Sequence, residues 1–314
     1  MSFVHMPVML NEAIVGLSIK PQGIYIDGTV GGGGHALLIA EKLGEKGLLI
    51  GIDRDQEAVA VAKERLMPSE AQTHVLHGNY REMKLLLAEN SIKSCDGILL
   101  DLGVSSHQLD QANRGFSYIS DASLDMRMDQ QQKKNACDIV NNYGEADLHR
   151  IIREYGEERF AKRIARFIVS ERSAAAITTT GRLSDIVASA IPAKFRADGG
   201  HPAKRTFQAL RIECNDELRI LEETLDEMID ILNPGGRLVI ITFHSLEDRI
   251  VKVAFRRNEY PCICPADFPV CGCGKTSRGK VITRKPLTPS QAEMESNKRA
   301  KSAKLRVFER HNNI

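Results

Sequence analysis

The sequence predicts an α/β fold in which a parallel sheet, wrapped by helices, is interrupted by a helical insertion. Three observations predict it. Short apolar runs ending in a polar residue alternate with segments of helical apolar spacing through the first hundred residues. A glycine loop follows the first of those runs directly. After the fourth strand candidate the next comes only about 130 residues later, where an ordinary crossover needs a dozen or more.

Taken in order, the first run, Ile24–Asp27, passes straight into Gly28-Thr29-Val30-Gly31-Gly32-Gly33-Gly34-His35. Glycine there supplies the positive φ angles of a tight turn and lets the backbone approach a ligand closely. Leu48–Asp53, Thr73–His77 and Gly97–Asp101 are the next strand candidates, with helical spacing in Ala36–Leu43 and Glu57–Leu66 between them. The intervening stretch reads as helical: Leu148, Ile151, Ile152 and Tyr155 recur at helical spacing, as do Phe160, Ile164, Phe167 and Ile168. Thr180-Gly181-Arg182-Leu183 leads a further helix through Ile186, Val187 and Ala190, which Pro192 should end. His201-Pro202 is expected to restart one, because proline suits the first helical turn.

Asp216–Leu232 predicts a helix with Leu218, Leu221, Leu225, Met228 and Leu232 as its apolar positions, stopped by Asn233-Pro234-Gly235-Gly236. The chain then re-enters the sheet at Arg237–Phe243, and Val281–Thr283 and Lys304–Phe308 are expected to close it. Residues 1–105 with 212–314 are therefore expected to form one discontinuous domain, and residues 106–211 an inserted helical domain at the sheet's ligand-binding edge.

At 314 residues the chain can bury a large core. Its net charge of +2 hides an asymmetry: residues 249–314 carry 15 basic and 5 acidic side chains, whereas residues 212–248 carry 2 and 10. Residues 1–104 carry 9 basic and 13 acidic, and 105–211 carry 17 and 13. Basic charge outside the glycine-loop segments suits a polyanion, although a solvated tail has the same composition. No apolar run approaches the roughly 20 residues of a membrane helix, and Met1–Leu10 lacks the basic start and apolar core of a signal peptide. A cytoplasmic protein with no membrane role is the expectation.

Two cofactors compete for the glycine loop. Gly31-x-Gly33-x-x-Ala36 meets the G-x-G-x-x-A dinucleotide pattern, and Asp53 stands where a ribose-binding acid is expected. Against a dinucleotide stands Asp27, which would repel a pyrophosphate and attract a cation. S-adenosyl-L-methionine carries a sulfonium and an ammonium and no phosphate, so the residues favour the methyl donor. A second run, Gly97-Ile98-Leu99-Leu100-Asp101-Leu102-Gly103-Val104-Ser105-Ser106, delivers another acid into a small-residue loop. In the usual doubly wound order the fourth strand lies beside the first, which places Asp101 next to the glycine loop. A helix cap at Ser105 or Ser106 is the structural alternative for this stretch.

Five linked stretches make a more specific pattern. They are Asp27–His35, Asp101–Ser106, Phe116-Ser117 with Asp125-Met126-Arg127-Met128-Asp129, His201–Arg211, and Phe243-His244-Ser245-Leu246-Glu247-Asp248-Arg249. In that order they resemble the bacterial small-subunit (16S) ribosomal RNA cytosine-N4 methyltransferases, from His5-Met6-Pro7-Val8-Met9-Leu10 to Asn297–Leu305. The resemblance implies a Rossmann-like class I methyltransferase sheet with an inserted, RNA-facing helical domain. It implies methyl transfer from S-adenosyl-L-methionine to the exocyclic amine of one decoding-centre cytidine, with ribosomal RNA or the assembled small subunit as partner and a homodimer left open. The family's cofactor residues carry over onto Gly33, Gly34, His35, Asp53, Tyr80, Asp101 and Gln108. Tyr80 stands where the family more often has phenylalanine, and its ring suits either an adenine or the core.

A cytosine amine is a poor nucleophile, so an acceptor bonded to its N–H should favour attack, and Asp101 is the catalytic candidate. His244 and Ser245 are candidates to line the base pocket or to serve the fold. Methylation at cytosine C5 would need a thiolate, and Pro261-Cys262 lies after the late strand inside a cysteine cluster, the wrong place for one. Cys262-x-Cys264 and Cys271-x-Cys273 suggest metal more than disulfides, and the pattern leaves zinc and free thiols both open, so no metal ligand is assigned. Lys204, Arg205, Arg211, Arg278, Lys280, Arg284 and Lys285 are candidate phosphate contacts.

Overall fold

The computed structural model describes residues 7–196, 200–265 and 270–311; His5 and Met6, which open the first matched stretch, lie outside them. The chain divides into two compact units, one formed by Met1–Gly103 with Leu218–Ile314, the other by Val104–Glu217. In chain order the first unit begins with α1 (Leu10–Leu17), β1 (Ile24–Asp27), α2 (Gly34–Lys42), β2 (Leu48–Asp53), α3 (Gln56–Leu66), β3 (Gln72–His77), α4 (Met83–Glu89) and β4 (Cys95–Asp101). The second unit supplies α5 (Ser106–Asp110), α6 (Ala136–Asn142), α7 (Glu145–Glu154), α8 (Ala161–Ala174), α9 (Thr180–Ala190) and α10 (Lys204–Asn215). Through α11 (Glu217–Asp230) the chain returns to β5 (Leu232–Thr242), α12 (Ser245–Glu259), β6 (Gly279–Val281), α13 (Gln291–Ser296) and β7 (Lys304–Arg310).

The seven strands lie in the order β3-β2-β1-β4-β5-β7-β6. Neighbours among β1 to β5 are parallel, and β7 runs antiparallel to both β5 and β6. Parallel strands are buried on both faces, which is why they are continuously apolar. Tyr25, Leu49, Leu99 and Val239 face a core shared with α1, α2 and α3. Ile26, Ile50, Ile98, Leu100 and Ile240 face the opposite core, shared with α4, α11 and α12. Asp27 pairs in register with Gly51 on one side and Leu99 on the other, so the acids ending β1, β2 and β4 emerge at one edge.

Three local expectations shift. Strand β5 starts at Leu232, which pairs with Cys95, while Gly97 pairs with Arg237. The turn residues Asn233–Gly236 are thus absorbed as a bulge inside the strand rather than standing before it. The expected strand Val281–Thr283 is Gly279–Val281; beyond it the Ile282 and Thr283 amides both donate to the Val307 carbonyl, and the Val307 amide donates to Thr283 Oγ1, 2.8 Å away. Helix α10 begins at Lys204 instead of at His201-Pro202, whose carbonyl at His201 accepts from the Lys204 amide in a preceding turn.

The second unit has its own core, in which Leu148, Ile151 and Ile152 of α7 meet Ile164 and Ile168 of α8 and Leu183 and Val187 of α9. Its Asp125–Asp129 stretch is a clamp. Arg127 grips Asp125 through two parallel bonds of 2.8 and 2.7 Å and also donates to the Gln130 and Gln132 carbonyls. Asn215 receives the Met128 amide and donates to the Met126 carbonyl, both at 2.8 Å, which ties the end of α10 to this clamp. Among the described residues no helix is long and apolar enough to cross a membrane.

Candidate functional site

The glycine loop between β1 and α2 is held in place by backbone bonds that leave it facing the strand ends. The Gly28 amide donates to the Leu99 carbonyl and the Val30 amide to the Ile52 carbonyl. Gly33 has φ 77° and caps α2 in a left-handed conformation that a Cβ would strain. A Cβ on Gly28 would lie 2.6 Å from a Leu100 methyl and 3.3 Å from the Tyr80 Cβ, so the loop's first glycine is required by packing. The loop is a cradle of backbone with few side chains.

Four carboxylates gather around it. Asp53, at the end of β2, accepts from the Gly31 amide at 2.8 Å and the Asp55 amide at 2.9 Å, so both its oxygens are engaged with backbone while burial holds its carboxyl above the usual range. Asp27 is 1% exposed; burial, followed by repulsion from Asp53, pushes its carboxyl up to about 7 against the Thr29 amide bond that lowers it. Asp101, at the end of β4, is raised well above the ordinary range by burial and then by the charges of Asp27 and Glu247. Its side chain is 26% exposed, yet its Oδ1 is sheltered and has no hydrogen-bond partner. A sheltered carboxylate oxygen without a donor is costly unless a ligand supplies one.

His35 lies in the first turn of α2 and is 5% exposed. Its Nε2 lies 3.1 Å from the Val8 carbonyl, which assigns the proton to that nitrogen, and burial lowers the ring to about 4, so it is neutral at pH 7. Nδ1 then presents a lone pair toward Asp101 Oδ2 at 3.6 Å. Tyr80, in the short turn after β3, is 8% exposed and packs in the core with Ile26, Ile50, Ile52 and Leu100. The strand ends thus bring together Gly33, Gly34, His35, Asp53, Tyr80 and Asp101. Gln108 belongs to the second unit, where its side chain accepts from the Ser105 amide and its amide donates to Ser105 Oγ, closing a capping box on α5.

Two participants escaped the sequence reading. Thr29 Oγ1 accepts from the Asp101 amide at 2.6 Å and so ties the loop to the end of β4. Glu247 is 2% exposed, and its Oε2 receives the Phe243 and His244 amides at 2.7 and 3.3 Å. The signal for Glu247 was there, since an acid three residues after a cap is the mark of a capping box, and His244 Nδ1 accepts the Glu247 amide in return. His244 is therefore a cap of α12. Among the basic candidates, Arg211 forms a two-bond pair with Glu217, Lys280 lies 2.9 Å from Glu309, and Arg278 bonds to Asp230 and to Asn258, so these three charges serve the fold.

The chemistry of this donor set is that of a cation pocket. Asp27, Asp53, Asp101 and Glu247 converge, and the repulsion among them that raises Asp27 and Asp101 is what a positive ligand relieves. A pyrophosphate would add charge of the wrong sign, which argues against the dinucleotide alternative.

Comparison with known sequences gives the same direction. A family model described as the MraW methylase family matches residues 2–311. The protein named ribosomal RNA small subunit methyltransferase H from Lachnospira eligens is 59% identical over 310 residues, covering 99% of this chain and 98% of its own. Its namesake from Clostridioides difficile is 53% identical over 310 residues, covering 99% and 100%. A solved rRNA methylase from Streptococcus thermophilus aligns with 99% of each chain at 10% identity and a TM-score of 0.40.

Proposed function

The chain belongs to the MraW methylase family, and on that premise we propose that it methylates the exocyclic N4 of a cytidine in the decoding centre of small-subunit ribosomal RNA, in the cytoplasm, with S-adenosyl-L-methionine as donor. The names of its relatives support the small ribosomal subunit as target, and the order of the five motif stretches supports the cytosine amine. The observation that carries the reading is Asp101: a carboxylate at the mouth of an acidic, glycine-lined cradle, with one sheltered oxygen lacking a donor.

When bound, the cofactor supplies an electrophilic methyl group on a positively charged sulfur. Gly33, Gly34 and His35 would hold its methionine end, Asp53 its ribose hydroxyls and Tyr80 its adenine. Positive charge in the cradle would draw Asp101 and Asp27 into their ionised forms. Ionised Asp101 would then accept a hydrogen bond from the cytosine N4–H through the part of its carboxylate that reaches solvent, increasing electron density on that nitrogen. Asp101 would also take the proton that this nitrogen must shed on gaining the methyl group. Its raised proton affinity suits that task once the neighbouring positive charge has gone. The second unit, with Lys204 and Arg205 exposed on α10, is assigned to RNA recognition.

The test is methyl transfer from labelled cofactor to small ribosomal subunits and to free 16S RNA from cells lacking this protein, followed by mass mapping of the modified nucleotide. N4-methylcytidine at a single decoding-centre position is expected. Label at a ring carbon, or none on either substrate while the cofactor binds, overturns the assignment.

A further inference from the structure

Outside the cradle, four thiols meet at the protein surface in the strap that joins α12 to β6. The sulfurs of Cys262, Cys264, Cys271 and Cys273 all lie within 4.8 Å of one another. Four of their separations are 3.6 Å (Cys262 to Cys271), 4.0 Å (Cys264 to Cys271), 3.5 Å (Cys271 to Cys273) and 3.9 Å (Cys273 to Cys262). Four sulfurs placed tetrahedrally around one zinc ion, at bonds of about 2.3 Å, stand about 3.8 Å apart. The measured edges straddle that value.

Other causes of such a gathering fail. The four cysteines are free, and their sulfurs stand well beyond the roughly 2.05 Å of a disulfide bond. Apolar packing does not collect them either: Cys262 and Cys271 are exposed, and the neighbouring Ile263 and Val270 are 71% and 74% exposed. By contrast Cys95 and Cys214 are buried, as cysteines serving the core should be. Gly274 follows the second pair with φ 63°, a left-handed turn.

We propose that Cys262, Cys264, Cys271 and Cys273 form a structural zinc site. The four soft donors exclude magnesium and calcium, and their compactness places them on one metal rather than on the separate irons of a cluster. Four protein ligands leave no open position, so the ion would staple the strap and take no part in the reaction. On binding, the thiols become thiolates and release their protons to solvent, giving a centre of net charge −2. The strap's far end is already fastened, since the Arg278 amide donates to the Asn258 carbonyl at 2.9 Å and its guanidinium bonds to Asp230 and Asn258. Zinc would fasten the part in between and set the exposed Lys275 beside it.

The test uses the full chain, made in zinc-supplemented medium and purified in reducing buffer without chelator. Elemental analysis should find about one zinc per chain, and replacement by cobalt should give the visible bands of a tetrahedral tetrathiolate. The Cys262→Ser/Cys271→Ser variant should hold less than about a tenth of that metal while keeping its circular dichroism and its affinity for S-adenosyl-L-methionine. In that variant a protease should cut between residues 260 and 278 at least about tenfold faster. Wild-type protein with no bound metal, or with iron in place of zinc, overturns the proposal, as does a folded variant that retains its zinc.

Discussion

His35 and Asp101 face each other across 3.6 Å, Nδ1 to Oδ2, with the imidazole proton held on the far side of the ring by the Val8 carbonyl. A neutral ring in that tautomer offers Asp101 a lone pair and no positive charge. It therefore does nothing to pull the carboxyl down, and burial and the neighbouring acids leave Asp101 raised.

Replacing Asp101 by asparagine keeps the shape and removes the base. Turnover should fall by about 10²- to 10⁴-fold, the usual loss for a positioned proton acceptor, with an unchanged melting profile. Single-turnover methylation of small subunits measures it, and wild-type turnover in the variant removes Asp101 from the chemistry.

The pH dependence of cofactor binding follows from Asp27. Its carboxyl stands at about 7 in the folded chain against 3.8 for an unperturbed one, so the proton it keeps stabilises the cofactor-free fold below pH 4, and that contribution is lost as pH rises through 7. Asp27→Asn should therefore gain melting temperature on wild type between pH 5 and 8, by calorimetry without cofactor. Wild type should in turn bind S-adenosyl-L-methionine more tightly at pH 8 than at pH 6, and the variant should lose most of that slope.

At Gly28 a methyl group has no room between Leu100, Met83 and Tyr80. Gly28→Ala should destabilise the protein by about 1–3 kcal/mol and displace Tyr80, weakening cofactor binding along with stability. Denaturant melts with and without cofactor report the two effects separately.

Asp248 and Arg306 join α12 to β7 through bonds of 2.6 and 3.2 Å, with Arg306 only 4% exposed and Lys304 3.2 Å from the same carboxylate. The two cations hold the Asp248 carboxyl below its usual range. Asp248→Ala leaves a buried guanidinium without its partner and should cost about 3–5 kcal/mol, seen as a lower denaturant midpoint. Wild-type stability depends on this pair only while Asp248 is ionised, so it is lost as pH falls through the lowered carboxyl range.

Strand ends were readable because each carries a change of chemistry: Ile24–Asp27 and Leu48–Asp53 stop where an apolar run meets an acid, and the structure stops them at the same residues. Bulges were not, since Asn233-Pro234-Gly235-Gly236 has the composition of a turn, and only pairing with β4 decides that it sits within a strand. At the site, the acids were visible as residues, but their repulsion is a property of distance that appears only once β1, β2 and β4 lie side by side. Arg211, Lys280 and Arg278 show the converse limit. A basic residue looks free in sequence until its carboxylate, sometimes dozens of positions away, is placed against it.

Strand β4 finds its neighbour β5 only after the whole of the second unit has been spelled out. At a synthesis rate of about 5–20 residues per second, the edge of β4 leaves the ribosome on the order of 10 s before Leu232–Thr242 can cover it. During that wait Val104–Glu217, being continuous, is free to collapse on its own, whereas the half-built sheet carries an open flank vulnerable to pairing with another nascent chain. Birth order therefore makes the late-arriving Leu232–Thr242 segment the one whose delay or damage exposes the protein to aggregation.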